Sequence, residues 1–150
     1  MRKFSPAILA ACLGLAGPAT PAGAGLLSAK GPVIAILAGE LFLGEAEGHL
    51  GGAGTLAIRS QKRPAVTCTG QFTSSAALGG SGQMQCIDGT TATFRFNRLN
   101  VFRGYGVGSF SRGPMSFAYG LTAEEAAPYL NLPAGKKLTG NGTELALVDL

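Results

Sequence analysis

The chain has 150 residues, a length that fits one domain, with 46% apolar residues and only 13% charged ones. The apolar content argues against disorder, and the lack of a G-X-Y period excludes collagen despite 24 glycines. The net charge of +4 is carried partly by the first three residues, so it does not by itself imply a nucleic-acid or membrane partner.

Residues 1–24 read as a cleavable export signal. Arg2 and Lys3 form a positive start, and the apolar run "FSPAILAACLGLAG" follows. "PATPAGA" then sets small residues at Ala22 and Ala24, an A-x-A cleavage pattern. The run is too short for a bilayer, which takes roughly 20 residues. Pro6, Pro18 and Pro21 would interrupt an ordinary helix. Cleavage after Ala24 leaves residues 25–150 as a single β-rich domain with no transmembrane span. It also leaves ten basic residues against eight acidic ones, a net +2. The expected location is periplasmic or secreted. The alternative lies in "LAAC", Leu9 to Cys12, which resembles a bacterial lipobox; Cys12 would then be acylated and the protein would be a membrane-anchored lipoprotein.

Further along, "KGPVIAILAGELFLGEA" is apolar from Val33 to Leu43, and Glu40 interrupts it. It reads as two buried strands separated near Gly39. "GEAEGHLGGAGTLAIRS" predicts a hairpin around Gly52, with Gly48 facing Leu56 and Ala46 facing Ile58. "CTGQFTSSAALGGSGQMQC" predicts a second hairpin with its apex near Ala77. Cys68 then opposes Cys86, Gly70 opposes Met84, and Phe72 opposes Gly82. Because side chains alternate along a strand, Cys68, Phe72, Met84 and Cys86 share one face, while Thr69, Gln71, Gln83 and Gln85 share the other. A one-residue slip would scramble these faces, so the register is well specified. Opposed cysteines have the short separation a disulfide needs, and an oxidising compartment makes one the default. Two cysteines and one histidine are too few for a structural zinc site, so no metal is expected.

"CIDGTTATFRF" contains an Asp88-Gly89 turn. A three-residue loop from Asp88 to Thr90 sets Met84 against Phe94 and Gly82 against Phe96. "GYGVGSFSRGPMSFAYG" turns at Ser111 to Pro114, with Phe110 facing Met115, Gly108 facing Phe117 and Gly106 facing Tyr119. In each hairpin a glycine faces a bulky side chain, which can lie over the bare backbone. "LTAEEAAPYLNLPAGKKL" differs: Thr122 and Glu125 form a capping box, and Pro128 ends a short helical insertion near 122–130. "GNGTELALVDL" offers a turn and a last strand from Glu144 to Val148. The fold class is therefore all-β, an antiparallel meander of about seven to nine strands forming a small barrel, with a sandwich as the alternative.

Catalytic groups are sparse. His49 shares a strand face with Glu45 and Glu47, but no oriented nucleophile accompanies them. The glycine-rich segments lack a Walker lysine, and Asp88 lacks the neighbours of a calcium loop. Arg95, Arg98, Arg103 and Arg112 read as solvated strand faces and turns. Tyr105 and Val107 fall on the outer face near Arg103 and form a candidate surface contact; no nucleic-acid partner and no cofactor are expected. The leading reading is an exported, non-catalytic cell-envelope protein, a binding or structural module with an envelope protein as partner. One alternative is a carrier holding a small apolar ligand in the barrel interior, which needs a cavity above about 300 Å³. Another is a hydrolase-type enzyme, which needs Glu45, Glu47 and His49 to converge in a cleft.

Overall fold

The computed structural model describes residues 28–75 and 78–150. The expected export signal and Cys12 lie outside the described residues. Eight antiparallel strands, each paired with the next in sequence, close into a barrel: β1 (Ser28–Leu37), β2 (Glu40–His49), β3 (Ala53–Ser60), β4 (Thr67–Ser75), β5 (Gly79–Cys86), β6 (Thr91–Asn100), β7 (Arg103–Phe110) and β8 (Gly113–Tyr119). The last strand returns to the first, Val33 pairing with Tyr119 and Leu37 with Met115, so the sheet has no free edge and is not a sandwich.

Alternation sets the two faces. Val33, Ala35, Phe42, Ile58, Cys68, Met84, Phe94, Phe96, Met115 and Phe117 point inward and form the barrel core. Thr69, Gln71, Thr73, Ser81, Gln83 and Gln85 point outward and are exposed. The Cys68–Gly70–Phe72 and Gly82–Met84–Cys86 pairing occurs as expected, with a disulfide joining Cys68 and Cys86.

The other three hairpins keep the expected faces but pair two residues away. Gly48 faces Gly54 and Ala46 faces Leu56; Met84 faces Ala92 and Gly82 faces Phe94; Gly108 faces Met115 and Gly106 faces Phe117. The cause is where glycine sits in the turn. The loops are 50–52, 87–89 and 111–112: the first two sit one residue earlier than the sequence reading set them, and the third ends two residues sooner. Gly52 (φ 92°) and Gly89 (φ 88°) take the last loop position, in the left-handed region that closes a bulged turn, and their N–H groups donate to the carbonyls of His49 and Cys86. Moving a turn by one residue shifts pairing by two, and an even shift leaves every side chain on its original face.

After β8 the chain leaves the barrel. The capping box forms as expected: Thr122 Oγ1 accepts from the Glu125 N–H and donates to its carboxylate. Helix α1 (Ala123–Ala126) runs into one 3-10 turn, Ala127–Tyr129, at Pro128. A separate hairpin follows, β9 (Lys136–Thr139) with β10 (Ala146–Asp149). The expected last strand is thus present, but it begins two residues later and does not enter the barrel. Leu121, Ala126, Leu130 and Leu145 of this extension pack against Ile34, Ile36, Leu41 and Ala118, on the outer faces of β1, β2 and β8. That explains the continuous apolar run from Val33 to Leu43: odd residues of β1 face the barrel interior and even ones face the extension, so the strand is buried on both sides.

Candidate functional site

The barrel ends differ. At the end carrying residues 38–39, 61–66, 87–89 and 111–112, the interior is filled by Leu37, Phe42, Met84, Phe110 and the disulfide, all buried. Four charged groups link the four connections there. Glu40 accepts two hydrogen bonds from Arg63, at 3.0 Å from Nε and 2.7 Å from Nη2. Arg63 and Arg112 both pair with Asp88, at 3.8 and 3.5 Å. The Arg63 hydrogen bond holds the Glu40 carboxyl below its ordinary pKa. Hydrogen bonds from Thr90 do the same for Asp88.

At the other end the interior is hollow. A cavity of about 380 Å³ lies above a floor of Ala35, Ile58 and Met115, and opens between the N-terminal end of β1 and loops 50–52 and 101–102. Its existence follows from how the aromatic residues pack. Phe72, Phe94, Phe96, Phe117 and Tyr119 each sit directly across from a glycine of the preceding strand: Gly54, Gly82, Gly80, Gly106 and Gly104. Each ring lies down on that glycine rather than standing into the lumen. A Cβ on Gly106 would lie 2.5 Å from Phe117 Cζ, and one on Gly80 would lie 2.8 Å from Phe96 Cζ. The rings also contact one another edge-to-face, Phe72 with Phe96 and Phe94 with Phe117, at centroid separations of 5.6 and 5.2 Å. The wall is aromatic and the centre stays open.

Three polar side chains interrupt this wall near the mouth. Arg98 follows Phe94 and Phe96 on the inward face of β6, and its Nη2 donates to Ser74 Oγ at 2.7 Å. Arg98 Nε and Tyr119 Oη are buried without a hydrogen-bond partner. Burial pushes the Tyr119 pKa above its ordinary value, and the nearby Arg98 charge offsets part of that rise. Sequence reading grouped Arg98 with the solvated arginines; the structure corrects this. The signal was available in "FRFNR", where alternation from Phe94 and Phe96 puts Arg98 inside and Arg95 outside.

Outside the mouth, Leu50, Leu78, Leu99, Val101 and Phe102 are exposed at the tips of the three connections at this end. Elsewhere among the described residues, large exposed apolar side chains occur singly, as at Ile87, Val107 and Leu150.

The other sequence-derived candidates are dispersed. Glu45 and Glu47 lie on the outer face, 3.9 and 4.0 Å from Lys30 Nζ, while His49 lies at the cavity rim, so the three do not share a cleft. Tyr105 stacks on Tyr129 of the extension at 4.0 Å, and Arg103 forms an ion pair with Glu125. Both therefore make intramolecular contacts, and of that trio Val107 is the one left exposed. Glu45, Glu47, Thr69, Gln71, Gln83 and Gln85 border an open outer groove of about 640 Å³. Among the described residues no group of three or more metal-ligating side chains occurs, and no helix is long and apolar enough to cross a membrane.

Fold and site together define an eight-stranded up-and-down barrel, disulfide-bonded and filled at one end, with a one-ended apolar cavity. A barrel of this size is wide enough to hold one small ligand. The disulfide is compatible with an extracytoplasmic binding or structural module. Comparison with family models, curated proteins and solved structures gives no match.

Proposed function

We propose that this protein is an exported, non-catalytic carrier that holds a small, mostly apolar molecule inside its barrel. The observation that carries the reading is the cavity of about 380 Å³, walled by phenylalanines and open at one end. This is the volume range of small-molecule sites, and its mix of apolar wall with a few polar groups is typical of them. The exposed apolar tips around the mouth support it, because an apolar ligand entering there meets apolar surface first. The periplasm, or the medium after secretion, is the location the disulfide favours.

The test is titration with a fluorescent apolar probe, N-phenyl-1-naphthylamine. Wild-type protein gives saturable enhancement. Ala46→Trp, which projects a large ring into the lumen from a half-buried wall position, retains cooperative melting and gives no enhancement. Probe binding that is absent in the wild type, or unchanged in the variant, sinks the reading.

A second reading, docking of an envelope protein, is favoured by the polar outer groove along β2 to β5. Glu45→Lys with Gln71→Glu on that face abolishes such docking and leaves the probe titration unchanged.

A further inference from the structure

The ligand reading says nothing of head-group chemistry, but the polar groups inside the mouth do. Resting on that reading, we infer that the cavity takes an amphiphile with a carboxylate head, held by Arg98 with its apolar tail directed toward the barrel floor.

The molecule supplies its own comparison. At the filled end, Arg63 presents its Nε–Nη2 edge to both oxygens of Glu40. At the hollow end, Arg98 lines the mouth of the cavity. There Nη2 donates to the neutral Ser74 hydroxyl, the guanidinium lies against the Tyr119 hydroxyl, and Nε has no partner. Among the described residues no carboxylate pairs with Arg98. Arg98 is partly buried at the mouth and has no such counter-charge, and a planar carboxylate is the partner that a guanidinium fits best.

Tyr119 adds a second contact. Its buried hydroxyl lies against the Arg98 guanidinium, has no acceptor of its own, and stays protonated well above neutral pH, so it can donate to an anion. Its ring stands edge-on to Phe96 at 6.0 Å, which fixes it beside Arg98. Lys30, the other lysine or arginine bordering the mouth, already faces Glu45 and Glu47 on the outer surface.

Depth orders the ligand. Along β6 the inward residues run Ala92, Phe94, Phe96, Arg98 from filled end to mouth, and along β8 they run Met115, Phe117, Tyr119. Polar groups are uppermost and the apolar wall lies beneath them, so the head sits at the mouth. At about 30 Å³ per water-sized group, the cavity of about 380 Å³ accommodates about a dozen such groups, which makes the tail a medium-length chain.

The experiment is calorimetric titration with decanoate and with decan-1-ol at neutral pH, using wild type, Arg98→Met and Arg98→Lys. The expected wild-type result is decanoate binding about 10- to 100-fold tighter than decanol, the worth of a charged hydrogen bond. Arg98→Met removes that preference while decanol binding stays, and Arg98→Lys keeps the preference in part. Equal wild-type affinities, or a preference that survives Arg98→Met, overturn the head-group assignment and leave the apolar carrier standing. Failure of both probes to bind wild type overturns both. The wild-type ratio needs no variant, so a folding defect in either substitution does not blunt the test.

Discussion

The two halves of the barrel are made by the same eight strands, yet one is solid and the other hollow. In the solid half, inward positions carry Leu37, Phe42, Met84, Phe110 and the Cys68–Cys86 pair, which fill the lumen. In the hollow half they alternate between glycine and aromatic on neighbouring strands, and each ring lies on its glycine. The rims differ in the same sense. Charged side chains join all four connections at the solid end, whereas exposed leucine, valine and phenylalanine tip the connections at the hollow end. Stability and cavity are thus assigned to opposite ends of one sheet. A molecule that must stay open at one place can concentrate its cross-links and ion pairs elsewhere.

The contrast can be broken most severely at the disulfide. Replacing Cys68 and Cys86 with Ser lowers stability by about 2–4 kcal/mol, as expected for opening a loop of this length. Probe titration of the protein that remains folded is unchanged, because neither cysteine lines the cavity. A denaturant midpoint indifferent to reducing agent would remove the cross-link from the account. A smaller effect, of opposite selectivity, is expected at the hollow end. Gly106→Ala sets a Cβ against Phe117 and the Arg95 carbonyl; overpacking of this kind costs about 1–3 kcal/mol. It also tips the Phe117 ring into the lumen, so apolar probe affinity falls along with stability. If stability falls and affinity does not, the ring is not what keeps the cavity open.

The smallest effect is the pH response of the solid rim. The Glu40 pKa is held down chiefly by its hydrogen bond from Arg63. A depressed carboxyl contributes its full stability above the ordinary carboxylate range, about pH 4, and loses it as pH falls through the lowered value. The melting temperature of the wild type therefore drops on acidification below about pH 4. Glu40→Gln starts lower at neutral pH and drops less. Solvent screening keeps the difference modest, since Arg63 and Arg112 are substantially exposed. Parallel melting curves for the two proteins would show that Glu40 contributes nothing to the rim.

Faces were easier to read from the sequence than partners. Strict alternation of apolar and polar residues in "TCTGQFT" and "SGQMQC" leaves one workable assignment of inside and outside, and the structure has it. Exact pairing depends on which loop residue adopts a positive φ. Gly51 and Gly52 are equivalent in sequence, but only Gly52 is in the left-handed region, and that choice moved the hairpin by two. The cavity was legible only as an either-or. Inward glycines allow strands to close tightly or allow rings to lie flat, and deciding between these needs the ring directions. Arg98 was legible and was misread, because its neighbours in composition, Arg95, Arg103 and Arg112, drew it toward the surface. Its neighbours in alternation, Phe94 and Phe96, point inward.

The seam between β1 and β8 has a consequence for how the chain reaches this state. Each of the other seven pairings joins strands adjacent in sequence, through short connections that close cheaply. The seam joins Val33 to Tyr119, across nearly the whole meander. Loop-closure entropy makes it the costliest of the eight pairings to form, and it lies beneath the extension that begins at Leu121. Before the seam closes, the meander is a curved open sheet with two free edges, and without residues 121–150 the apolar outer face of β1 is uncovered. Residues 121–150 therefore act as a clasp over the seam, holding shut the two edges through which an open sheet would pair with another copy of itself.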